Sequence, residues 1–81
     1  MRKIIEFTGD GKSKDTAILF MDIASKTEHI KMQYRFMEER GIRPKNQTLV
    51  EVNGDKYLYD VHETPRGELW FKIPKNLPYE K

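Results

Sequence analysis

Two histidines and one aspartate are the first residues to ask about. Asp60 and His62 sit two apart in an alternating run, so on a strand both side chains leave the same face. That is how a metal site begins, but a third ligand is missing. His29 lies 33 positions upstream, where it reads as a hydrogen-bonded or solvent-edge residue, and the chain has no cysteine to supply a thiolate. No spacing places a nucleophile, a base and an orienting group together. The expectation is therefore no catalytic residues, no metal and no cofactor.

A second chemical candidate is the segment Thr8 to Ala17, TGDGKSKDTA, between a β-rich run and a helix-forming one. Small residues there let backbone N–H groups approach phosphate oxygens, and a lysine neutralises charge. The segment resembles the phosphate-binding loop of the corrinoid adenosyltransferases, through Gly9, Asp10, Gly11, Lys12, Lys14, Thr16 and Ala17. The resemblance covers about ten residues and implies an anion site at Gly9 to Lys14 on a helix N-terminus. Ser13 stands where that loop has glycine, and Asp15 stands at the magnesium-binding hydroxyl position, where its charge repels phosphate. A turn with Ser13 or Asp15 as helix N-cap is the competing reading.

A third is basic. Lys31 and Arg35, then Arg40, Arg43 and Lys45, run along a helix end and the following loop, either as a solvated end that complements the helix dipole or as a phosphate-contacting patch. Residues 1–47 carry ten Lys/Arg against seven Asp/Glu and residues 48–81 five against six, so any attraction to nucleic acid belongs to the first half.

The elements that must position these residues are legible in outline. Arg2 to Phe7 predicts a strand ended by Thr8-Gly9-Asp10-Gly11. Asp15 to Gly41 lacks internal Pro and Gly and predicts a helical segment. Ser25-x-x-Glu28 is a capping-box pattern that would break the segment in two; otherwise the helix is continuous. Gly41 suits a left-handed C′ position and Pro44 forbids continuation. Leu19, Ile23, Ile30, Tyr34 and Met37 form one apolar stripe; Ile18, Met21, Met32 and Phe36 form a second, more than about 100° away.

Thr48 to Ile73 predicts a three-stranded antiparallel meander. Asn53-Gly54 is a two-residue hairpin signal pairing Val50 with Tyr57. Pro65-Arg66-Gly67 suits a three-residue loop pairing Val61 with Phe71 and Tyr59 with Ile73. That register sends Val50, Val52, Tyr57, Tyr59, Val61, Leu69, Phe71 and Ile73 to the core. The opposite face then holds Trp70 across from His62, with Leu58 and Leu49 nearby. Pro74 and Pro78 end the sheet, leaving residues 75–81 as a tail.

The fold class is α+β: an N-terminal strand, one long or broken helical segment, and a three-stranded antiparallel meander packed on the helix. Eighty-one residues predict one small domain. A net charge of +2 with 35% charged residues describes a solvated surface more than a polyanion binder. No apolar run approaches the ~20 residues of a membrane span, and the N-terminus is too polar for a signal peptide, so a cytoplasmic location is expected. The apolar surplus points to a small non-catalytic protein-interaction or regulatory module. It would use Trp70, His62, Leu58, Leu49, Ile18, Met21, Met32 and Phe36 to contact another protein or a second copy. A nucleic-acid-binding module using Lys31, Arg35, Arg40, Arg43 and Lys45 is the alternative, and an anion site at Gly9–Lys14 a remote third.

Overall fold

A computed structural model of the chain describes residues 4–79. In chain order it contains β1 (Phe7–Thr8), β2 (Leu19–Phe20), α1 (Lys26–Glu39), β3 (Asn46–Glu51), β4 (Tyr57–Thr64) and β5 (Gly67–Pro74). β1 and β2 pair antiparallel, and β3-β4-β5 form an antiparallel meander against which α1 packs, so the fold is α+β. No helix among the described residues is long and apolar enough to cross a membrane.

The N-terminal half departs from expectation. The first strand is confined to Phe7–Thr8; Arg2 and Lys3 of the expected strand lie outside the described residues. The helix begins at Lys26, not Asp15. Ser25 is its N-cap, accepting the Glu28 N–H at 3.0 Å, while the Glu28 carboxylate accepts the Ala24 N–H at 2.9 Å. The capping signal thus marks the start of the only helix among the described residues, and no helix precedes it. What precedes it is turns and bends around an extended piece at Ile18–Phe20, where a sheet edge competes for the backbone. The Ile18 N–H donates to the Trp70 carbonyl, the Lys72 N–H to the Ile18 carbonyl, and the Trp70 N–H to the Gly11 carbonyl, at 2.7–2.9 Å. Ile18 and Phe20, two apart and both buried, follow the strand period rather than the helical one.

The helix end matches the sequence. Gly41 has φ +66°, its N–H donates to Glu38 at 3.1 Å, and the Ile42 N–H donates to Met37 at 2.8 Å, which is the Schellman arrangement.

In the meander both registers differ from those expected. The Val52–Asp55 turn closes, with the Asp55 N–H donating to the Val52 carbonyl at 3.0 Å. The β3–β4 ladder, however, pairs Val50 with Tyr59 and Glu51 with Leu58, two residues along from the expected pairs. Asp55 holds the extra residues: its carboxylate accepts from the Tyr57 N–H at 3.2 Å and the Tyr59 hydroxyl at 2.7 Å. A two-residue shift preserves the faces.

The second hairpin shifts by one. Thr64 pairs with Gly67 around the two-residue loop Pro65-Arg66, and Asp60 pairs with Phe71. The Thr64 hydroxyl donates to the Gly67 carbonyl at 2.7 Å and accepts the Arg66 N–H at 3.1 Å, closing a tighter loop than three residues allow. One residue inverts β5 relative to β4. Leu69, Phe71 and Ile73 therefore share the helix-facing side with Leu58, Asp60 and His62, and Trp70 shares the outer side with Tyr59 and Val61. Ile18, Phe20, Phe36, Met37 and Phe71 form one buried cluster, with Ile5, Ile23, Met32, Ile42 and Leu69 packed around it; Tyr59, Val61 and Ile73 are buried as well, as the sequence assigned them. Phe20, Phe36 and Phe71 meet with ring centroids 5.6–5.8 Å apart.

An open sheet edge above a sealed polar core

The buried stripe of α1 is Lys26, His29, Gln33, Phe36 and Met37, a helical spacing whose first three members are polar. That explains the register. Asp60 and His62 face inward because the helix brings polar partners to meet them. Gln33, His29 and His62 are fully buried and Asp60 nearly so.

Gln33 is the hub. Its amide nitrogen donates to the Asp60 carboxylate at 3.1 Å and lies 3.2 Å from His29 Nδ1, and its amide oxygen accepts from His62 Nε2 at 2.8 Å. Those roles set both tautomers: His62 carries its proton on Nε2 and His29 on the opposite nitrogen, also Nε2. The second Asp60 oxygen accepts from Gln47 Nε2 at 2.8 Å, and the Gln47 oxygen accepts from the Tyr34 hydroxyl at 3.0 Å. The chain of bonds thus runs from the half-exposed Tyr34, through Gln47 on the edge strand, into the core.

Burial pushes the His29 imidazole down to about 4, against the nearby Asp60 charge, which favours the protonated form. Burial lowers His62 as well, again opposed by Asp60. His29 Nε2 and His62 Nδ1 find no hydrogen-bond partner among the described residues. With both rings neutral and shut from solvent, the cluster fastens helix to sheet.

The sheet edges differ. β5 has its outer edge covered by Gly11 and Ile18, through the bonds given above. β3 is bare. The direction of its peptide groups follows from the ladder: Trp70 and Lys72 point toward Ile18, so Leu69, Phe71 and Ile73 point toward β4, and alternation carried through both registers turns Asn46, Thr48 and Val50 toward β4. Gln47, Leu49 and Glu51 therefore aim their N–H and C=O groups away from the sheet, with no partner among the described residues. Leu49 is 59% exposed. It borders a cleft of about 170 Å³ walled by Ile30, Leu58, Ile73 and Tyr79, with Lys26 and Asp60 among its other walls. The Lys26 ammonium is held there by the Lys75 carbonyl at 2.8 Å and by the Leu77 carbonyl, and lies 5.0 Å from the Tyr79 ring centre. In the segment expected as a tail, Tyr79 thus lines the cleft while the Lys75 and Leu77 carbonyls hold Lys26.

The expected contact residues divide. Leu49 and Met21 are exposed, and Met21 and Met32 line a second groove of about 290 Å³ with Ile5 and Ile23. Leu58 borders the cleft beside β3. Trp70 is partly buried on the outer face, its ring 6.1 Å from that of Tyr59. His62, Ile18 and Phe36 are buried, so they are unable to contact a partner; for His62 the one-residue register change is the cause.

The members of the basic run differ in what they contact. Arg35 pairs with Glu39 at 3.0 Å. Arg40 stacks 3.7 Å from the Phe36 ring centre. Lys31, Arg43 and Lys45 are exposed.

The glycine loop does not lead into a helix N-terminus. The Asp10 and Gly11 N–H groups donate to the Thr16 carbonyl at 3.0 and 2.8 Å, and the Lys12 N–H donates to the Asp10 carboxylate at 3.0 Å. Three of its amides are thus used internally, and the next element is β2 rather than a helix. Lys14 turns to Asp55 at 3.6 Å.

The residues that sequence reasoning missed are Gln33 and Gln47. Gln33 lies at helical spacing from His29, which was the available signal; nothing local marks Gln47. Comparison with known protein families, characterised proteins and solved structures gives no match.

Proposed function

We propose that the protein is a small non-catalytic interaction module that accepts an extended segment along β3. One observation carries this reading: the chain covers the β5 edge with its own backbone, while the outward peptide groups of Gln47, Leu49 and Glu51 on the other edge have no partner among the described residues. Folded proteins ordinarily blunt a free edge with proline, lysine or a covering loop. β3 is six residues long and contains neither proline nor lysine. An added strand gains main-chain hydrogen bonds, and an adjacent pocket that takes an alternate side chain adds selectivity. The cleft bordered by Leu49, Ile30, Leu58 and Ile73 lies where such a pocket is required.

The test is selection of random linear peptides displayed on phage, followed by titration of the enriched peptides into labelled protein. Binding is expected to move the amide signals of Gln47, Leu49 and Glu51, and to be lost in Leu49→Pro. That variant removes an outward N–H while leaving the β4 ladder intact, and circular dichroism checks its fold. Failure to enrich any peptide, or binding that Leu49→Pro leaves unchanged, refutes the reading. Low-salt titration with duplex and single-stranded DNA tests the alternative, which predicts movement at Lys31, Arg43 and Lys45 instead.

A further inference from the structure

We infer that the segment β3 accepts is β3 of a second copy, joined antiparallel about a twofold axis through Leu49. This rests on the reading of β3 as a strand-accepting edge and names its partner. The argument is self-complementarity. The free peptide groups belong to Gln47, Leu49 and Glu51, a set symmetric about its middle member. Turning one strand by the twofold sets Leu49 opposite Leu49, Gln47 opposite Glu51 and Glu51 opposite Gln47. Every free N–H on one copy then faces a free C=O on the other, and no outward group is left over.

The side chains agree with the backbone. On the helix-facing side the two Leu49 side chains meet at the cross-strand spacing of about 5 Å, beside the Ile30–Leu58–Tyr79 cleft of each copy. On the outer side Thr48 falls opposite Val50 and Val50 opposite Thr48, a pair of β-branched residues suited to a pleated surface. Charge selects the direction. Glu51 is the only charged residue in β3, and a parallel arrangement would set it beside its own copy. The antiparallel one separates the two carboxylates by the length of the pair and leaves each with its own Lys75 at 3.5 Å. Sliding the register by two residues strands one of the three free groups at each end. Both helices come out on the same side of a six-stranded sheet, so the apolar residues that flank Leu49 continue across the axis.

Light scattering across a wide range of protein concentration tests this directly, paired with hydrogen exchange. The expected result is a mass that doubles from 9.7 kDa as concentration rises, with exchange of the Gln47, Leu49 and Glu51 amides slowing in step. In Leu49→Asp two carboxylates face each other across the axis, and dimer dissociation is expected to be at least about tenfold easier. Leu49→Pro, which removes the central donor without adding charge, is expected to act in the same direction. A peptide selected for β3 should compete and return the mass to one chain plus peptide. A chain that stays monomeric at the highest concentration overturns the inference, as does a dimer that both variants leave equally tight. If peptides still bind β3 in a strictly monomeric protein, the self-pairing falls and the strand-accepting function stands. If neither occurs, both fall.

Discussion

Replacing Gln33 by leucine tests whether the polar hub is what joins helix to sheet. The volume is nearly kept, so the change is chemical. Three groups lose their partner at once: the Asp60 oxygen 3.1 Å away, the His62 N–H 2.8 Å away, and His29 Nδ1 at 3.2 Å. A buried polar group left unsatisfied costs about 1–3 kcal/mol. The three share one site and relax together, so the sum is sub-additive, and a loss of roughly 3–6 kcal/mol is expected. A domain of this length is stable by only about 4–12 kcal/mol, so the variant should sit near the edge of folding. Urea unfolding followed by circular dichroism gives the number, with the slope checked against wild type. A loss below about 1 kcal/mol would refute the argument, because the network would then be replaceable packing. Gln47→Leu is the internal comparison: the residue is exposed, water can replace its bond to Asp60, and the loss should be smaller.

Two further outcomes follow from buried and crowded atoms. Folding depresses the His29 value from 6.5 to about 4, so above pH 6.5 both folded and unfolded chains hold it neutral and stability is complete. As pH falls from 6.5 toward 4 the unfolded chain takes a proton that the folded one refuses, and stability should drop by about 3 kcal/mol from this group alone, with His62 adding in the same direction. Chemical unfolding at a series of pH values measures the slope; His29→Phe should flatten it, and a flat wild-type curve refutes the burial argument. Gly9→Ala should destabilise more than Gly54→Ala, as thermal melts would show. Both glycines have positive φ, but a Cβ at Gly9 meets the Ala17 and Thr16 carbonyl oxygens at 2.5 and 2.7 Å, whereas at Gly54 it meets nothing within 4 Å. The open site should cost only the ~1–2 kcal/mol of a left-handed L-residue, and equal losses would contradict the packing.

Local chemistry determined a good part of this protein from its sequence. The Ser25-x-x-Glu28 start and the Gly41 stop are present, and a turn forms at Asn53-Gly54 though not the two-residue hairpin expected there, because caps and turns are settled by groups a few residues apart. The meander and the α+β class followed from the same short-range signals. Two things were decided only in three dimensions. Residues 15–24 lie in a helix-permissive stretch, yet none of them is helical, and Ile18–Phe20 are extended because the β5 edge offers Ile18 the hydrogen bonds that a helix would have supplied. Asp60 and His62 look like solvent-facing residues in any pattern that counts apolar side chains. They are buried because Gln33, about 30 residues away in sequence, arrives with matching donors and acceptors. That pairing set the second hairpin's register, sent Trp70 to the outer face with Tyr59 and Val61, and withdrew His62 from the surface. The open edge of β3 belongs to the same category. No feature of NQTLVE marks it as unpaired; it is free because the residues before β2 were spent on the opposite side of the sheet.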